Sequence, residues 1–125
     1  MPHCLARPAA TLASLVALLL ATAPAGAAPS TANGQISVAQ VQAMVDRAPT
    51  DKTAQQLLTA YLAGVGEAAD VTLSMGGASC GTPMSLSAAD VRQALRTAGG
   101  QDPAAVAATP IIVRDMLSRA GCRRP

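Results

Sequence analysis

Leu57-Leu58-Thr59-Ala60-Tyr61-Leu62-Ala63-Gly64-Val65-Gly66-Glu67-Ala68-Ala69 is the stretch that decides the fold. Within it Leu57, Leu58, Tyr61, Leu62, Val65 and Ala69 keep the i, i+3, i+4 rhythm of one buried helix face. Pro49 stops whatever precedes it, so a long helix is predicted to start after Thr50 or Asp51 and to fade near Leu73. Gly64 and Gly66 each cost about 1 kcal/mol relative to Ala inside a helix. Glycines so placed are expected to let another backbone approach closely.

On the N-terminal side, Ser37 and Gln40 have capping-box spacing, and Ile36 with Val41 sits where a hydrophobic staple would. Val38, Val41, Val45 and Ala48 recur at helical intervals, predicting a first helix over 38–47. On the C-terminal side, residues 74–85 hold three glycines, Cys80 and Pro83 and read as a loop. The grammar of the first helix then repeats: Leu86 as staple, Ser87 as cap, Asp90 three residues on, Val91 as staple partner. Val91, Ala94, Leu95 and Ala98 form the inner face of this helix over 87–98, and Gly99-Gly100 closes it. Asp102-Pro103 opens a short turn. Thr109-Pro110 is predicted to start a last helix over 110–120, because proline suits a helix start and not its interior. Ile112, Val113, Met116, Leu117 and Ala120 are its apolar set; Gly121 caps its end and puts Cys122 one step beyond. No stretch alternates with period two. The expected fold is an all-α, small bundle of four to five helices with one disulfide.

The chain has 125 residues; Tyr61 is its one aromatic residue and Ala fills 29 positions. So small and methyl-rich a chain excludes a large multi-domain enzyme, a sandwich of aromatic and β-branched strands, and a nucleic-acid binder that stacks bases. Arg7 is followed by an apolar run from Ala9 to Ala23 and by Pro24-Ala25-Gly26-Ala27-Ala28, where Ala25 and Ala27 form a small-x-small exit. This is the pattern of a secretory signal peptide over 1–27; the competing reading is a retained membrane anchor, for which the apolar run is short. Residues 28–35 are expected to be a flexible tether, and 36–125 the domain. Cleavage would remove His3, the sole histidine, together with Cys4 and Arg7. The mature chain would then lack the usual general base and metal ligand. It would carry eight Lys and Arg against seven Asp and Glu, too even a balance to suggest nucleic acid or an anionic membrane. Cys80 and Cys122 would be left together in an oxidising compartment, where a lone pair is most simply a disulfide.

Three motifs bear on chemistry. Gly77-Ala78-Ser79-Cys80-Gly81 matches the G-x-S-x-G nucleophile elbow, which needs a strand-turn-helix and a histidine, neither of which the mature chain is expected to supply. Gly64-Val65-Gly66-Glu67-Ala68-Ala69 fits a relaxed dinucleotide fingerprint, but late in a helix instead of at a strand-to-helix turn. Glu67 and Asp70 are a close carboxylate pair on one helix face, read as solvated. Tyr61 is read as core, with an interface anchor as the other reading. No catalytic residue, cofactor or metal is expected.

Taken in order, several features resemble one family. They are Tyr61-Leu62-Ala63-Gly64 on the central helix, Cys80 with Pro83 in a loop before a capped helix, and a last helix delivering Cys122. The family is the small periplasmic immunity proteins of the Rap/Tai type, which protect bacteria from the peptidoglycan amidase effectors of type VI secretion. The resemblance covers about residues 36–122. Two features depart from it: Leu58 stands about where many members carry a further cysteine, and Cys80-x-x-Pro83 is one residue longer than the usual form. The resemblance implies a periplasmic protein with no chemistry of its own that inserts an inter-helix loop into an enzyme groove, often as a homodimer. The implied partner is an amidase effector. Of the two candidate loops, Ser74–Ser85 and Gly99–Asp102, the first is favoured, with Met75, Gly76, Gly77, Ala78, Ser79, Thr82 and Met84 as its partner-binding residues. The alternative is an HdeA-like acid-stress chaperone holding unfolded periplasmic clients. Its pH trigger would have to come from seven carboxylates and no histidine. Neither reading involves nucleic acid, nor a membrane once the signal segment is cleaved.

Overall fold

Hydrogen bonds from side chains at three helix starts set the frame of the protein. Ser37 Oγ accepts from the Gln40 N–H (3.1 Å) while Gln40 Oε1 accepts from the Ser37 N–H (2.9 Å). This reciprocal box opens α1, Val38–Arg47. Asp51 Oδ1 accepts from the N–H groups of Thr53 and Ala54 and opens α2, Lys52–Met75. Ser87 and Asp90 form a second box and open α3, Ala88–Arg96. A fourth helix, α4, Ala108–Arg119, has no side-chain cap. The structure, a computed structural model, describes residues 30–123; the expected signal segment lies outside the described residues.

The fold is all-α, with four helices and no strands among the described residues. α2 runs two residues past its expected end, and α3 stops two residues short of the predicted 98. α4 starts at Ala108 instead of 110. The reason is long-range: the Ala108 N–H donates to the Ile36 carbonyl (3.0 Å) and the Val38 N–H to the Val106 carbonyl (2.9 Å). The two helix starts cap one another through backbone. Pro110 then falls in the first turn, where its missing N–H has no helical partner to lose. Asp102-Pro103 does form a turn, in which the Ala104 N–H donates to Asp102 Oδ1 (3.0 Å). Residues 30–35 also fold into a turn, the Gln35 N–H donating to a buried Thr31 Oγ1 (3.0 Å).

α1 packs on α2 and α3, and α4 closes the bundle against the same two helices. Val38, Val41, Val45, Leu58, Val65, Val91, Leu95 and Ile112 make the buried centre. Each such side chain contributes roughly 1.5–3 kcal/mol on burial. Tyr61 is half-buried against this core and its hydroxyl lies 2.9 Å from Thr109 Oγ1, joining α2 to α4. Burial pushes its phenol above the ordinary 10.0, against the opposing effect of the Thr109 hydrogen bond. A buried tyrosine whose hydroxyl finds a partner is core. The two glycines of α2 correct the sequence expectation. A Cβ at Gly64 or Gly66 would meet nothing within 4 Å beyond its own helix, so among the described residues no other backbone approaches either of them.

Candidate functional site

The loop after α2 is built by two helix ends that terminate in the same way. At the end of α2, Gly77 takes a φ of +65°, its N–H donates to the Ser74 carbonyl and the Ala78 N–H to the Leu73 carbonyl (3.0 Å). At the end of α4, Gly121 takes a φ of +63°, its N–H donates to Ser118 and the Cys122 N–H to Leu117 (3.1 Å). Both are Schellman caps, for which a glycine in the left-handed region is the usual solution. Cys80 and Cys122 follow these caps and are joined as a disulfide, as the sequence predicts.

Backbone pairing reinforces the bond on both sides. Ser79 and Arg123 exchange backbone hydrogen bonds (3.3 and 2.9 Å), and the Gly81 and Thr82 N–H groups both donate to the Ala120 carbonyl (2.9 and 3.2 Å). Further on, Arg119 donates to the Ser85 carbonyl (3.2 Å). Loop 76–87 is therefore held at several points along its length by the end of α4.

The expected partner-binding residues divide into two groups. Met75, Gly76, Gly77 and Ser79 stand exposed at the tip, and Met75 is 84% exposed. Thr82 is exposed but pinned through its backbone, whereas Ala78 and Met84 are half-buried. Met84 lines an open groove of about 970 Å³ between α2 and α3, and also a smaller pocket beside the loop with Ser74, Ala78 and Thr82. Leu58, Leu62 and Gly66 form one wall of this groove, Leu86 and Arg92 the other, and Val45 and Met116 lie in it at the core. Glu67 and Asp70 sit exposed on its rim. Arg92 is fixed by donating to the Val45 carbonyl (3.1 Å). The groove and the Arg119 contact escaped the sequence reading. Small residues at Ala63 and Gly66 on the groove side of α2 were a signal for the first; nothing local marks the second.

The electrostatics sit at helix starts and not in the loop. Ser87, through its side chain and its backbone N–H, holds the Asp90 carboxyl below its ordinary value of 3.8, with help from the nearby Arg119. The Ala54 N–H and Arg47 hold Asp51 below the same value. Among the described residues no group of three or more His, Cys, Asp or Glu could hold a metal ion, and no helix is long and apolar enough to cross a membrane.

Compared with family models, with curated proteins and with solved structures, the chain finds no significant match in any of the three.

Proposed function

We propose that this protein is a periplasmic immunity protein that acts by occlusion: residues 74–85, the end of α2 and the loop after it, enter the active-site cleft of a peptidoglycan amidase effector and block it. The observation that carries this reading is Met75, 84% exposed at the end of α2, where the loop anchored by Cys80–Cys122 begins. An exposed, unbranched thioether is well suited to a contact surface. A loop already tied to α4 loses little conformational freedom on binding, which favours affinity. The Rap/Tai resemblance supplies the class of partner, and the disulfide suits an oxidising compartment. On this reading the tip Met75–Ser79 makes the central contacts, and no residue of the chain performs chemistry.

The test is a pull-down from envelope extract at neutral pH, with the oxidised protein as bait and mass spectrometry as readout. The expected result is one stoichiometric peptidoglycan-cutting enzyme, inhibited in the complex, with Met75→Asp weakening the complex at least about tenfold, the scale of one interface anchor. Alanine replacement across Met75–Ser79 that leaves affinity unchanged sinks the loop as the contact. A diffuse set of unfolded clients captured only on acidification replaces the proposal with the chaperone reading.

A further inference from the structure

α2 packs on α1 and α4, and α3 packs on the same two helices, but no comparable packing joins α2 to α3. The groove between them is the gap this leaves in the bundle. Its floor is the core itself, reached by Val45, Leu58 and Met116. Along α2 the groove runs from Gln55 to Asp70, about 22 Å at 1.5 Å per residue. Thr59, Ala63 and Gly66 keep that wall low, and a Cβ on Gly66 would meet nothing within 4 Å beyond its own helix.

These features select the shape of an occupant. Both long walls are helices, whose backbone groups are already paired along their length, so the groove offers no free edge to an extended peptide. A helix brings its own hydrogen bonds and needs only an apolar seat. Helices that meet over small residues can approach to about 8 Å, the near end of the usual range.

The charges select its chemistry. Three charged side chains line the groove: Arg92, Glu67 and Asp70. Arg92 is already engaged, donating to the Val45 carbonyl (3.1 Å) and lying 4.0 Å from Asp46. Glu67 and Asp70 are exposed, and neither forms an ion pair with another described residue. Three residues apart on one helix, they repel each other. A Lys or Arg between them relieves that repulsion. The same rim disfavours the anionic headgroups of a membrane.

We propose that the α2–α3 groove seats one amphipathic α-helix of a protein partner, about four turns long, with its apolar stripe over Leu58, Leu62 and Met84 and a Lys or Arg against Glu67 and Asp70. The seated helix completes the bundle as a fifth member. Met75 lies outside the groove, so this does not depend on what the loop tip binds.

The test is selection from a phage-displayed library of helical peptides of about 16 residues, the length of the groove, with the oxidised protein as bait. Apolar residues are fixed at i, i+3, i+4 and i+7 and all other positions are free. The selected peptides are expected to carry Lys or Arg at one end, beside the apolar stripe. The double variant Glu67→Gln with Asp70→Asn is expected to bind them about fivefold more weakly, the scale of two exposed charge pairs. Gly66→Leu, which fills the groove, is expected to weaken them by more than about tenfold, the scale of one lost anchor. Circular dichroism checks that both variants keep their helices. Absence of any enriched peptide overturns the proposal. So do selected peptides that bind the Gly66→Leu variant as well as the parent, or that are indifferent to the two carboxylates.

Discussion

The Arg119 guanidinium donates to the Ser85 carbonyl at 3.2 Å, joining positions 34 residues apart in the chain. The same side chain pairs with Asp115 (2.8 Å) and Asp90 (3.5 Å). One arginine therefore ties the end of α4 to the exit of loop 76–87 and to the start of α3. Exposed ion pairs alone are worth little, but a planar fork with three fixed acceptors resists replacement by a point charge. Arg119→Ala is expected to cost about 1 kcal/mol in urea unfolding, with a Tm lower by roughly 4–8 °C for a domain of this size. Arg119→Lys is expected to recover only part of that. A variant as stable as the parent would show that Ser85 is held by the backbone alone.

The Cys80–Cys122 bond closes a separation of 42 residues. The chain-entropy argument gives it about 4 kcal/mol, acting through the unfolded state. The Ser79–Arg123 and Gly81–Ala120 hydrogen bonds do not depend on the sulfurs. Replacing both cysteines by alanine is accordingly expected to lower stability by up to about 4 kcal/mol while far-ultraviolet circular dichroism under native conditions retains the helical signal. Hydrogen exchange of the 79–82 amides should speed up more than that of α1. Loss of all helicity at room temperature would mean that the core, rich in alanine and valine, cannot hold without the bond.

Acid should act through Asp51 and Asp90, both held below 3.8 in the folded state. A carboxyl with a lowered folded pKa is protonated more readily in the unfolded chain. Its stabilisation is present above the unfolded value and is lost as pH falls through the folded one. Tm is therefore expected to stay flat from about pH 8 to about pH 5 and to decline below about pH 4. Asp90→Asn should shallow that decline, because the remaining amide no longer titrates. A sharp fall of Tm between about pH 7 and pH 5 would contradict this, since neither lowered carboxyl changes charge there.

Helix starts governed by a nearby side chain were legible in the sequence, and those governed by distant backbone were not. Ser37 with Gln40 and Ser87 with Asp90 placed α1 and α3, because a capping box lies within four residues of chain. α4 starts two residues before the expected position because the Val106 carbonyl and the Ala108 N–H bond the backbone of Val38 and Ile36, a pairing across about 70 residues that no local pattern carries. The same divide runs through the candidate site. The Cys80–Cys122 pairing followed from cysteine arithmetic and Gly121 from cap chemistry. The α2–α3 groove and the Arg119–Ser85 contact depend on how helices settle against each other. Gly64 and Gly66 stand out inside a helix, but the close neighbour they lead one to expect is absent among the described residues.

Those two glycines give opposite-signed predictions to the rest. Both lie within α2, and at neither would an added Cβ meet another atom within 4 Å. Neither has a positive φ, so the left-handed freedom of glycine is not being used. Gly66→Ala is then expected to stabilise the domain by about 0.5–1 kcal/mol, because alanine loses less backbone entropy on entering a helix. Gly64→Ala should do the same. Chemical denaturation at low protein concentration isolates the intrinsic term at both positions. A loss of stability at Gly66 would mean that the groove wall closes on it in solution, bringing Met84 or Leu86 against α2. A gain confirms that the position is open, and that the chain forgoes helix propensity there for a reason other than its own packing.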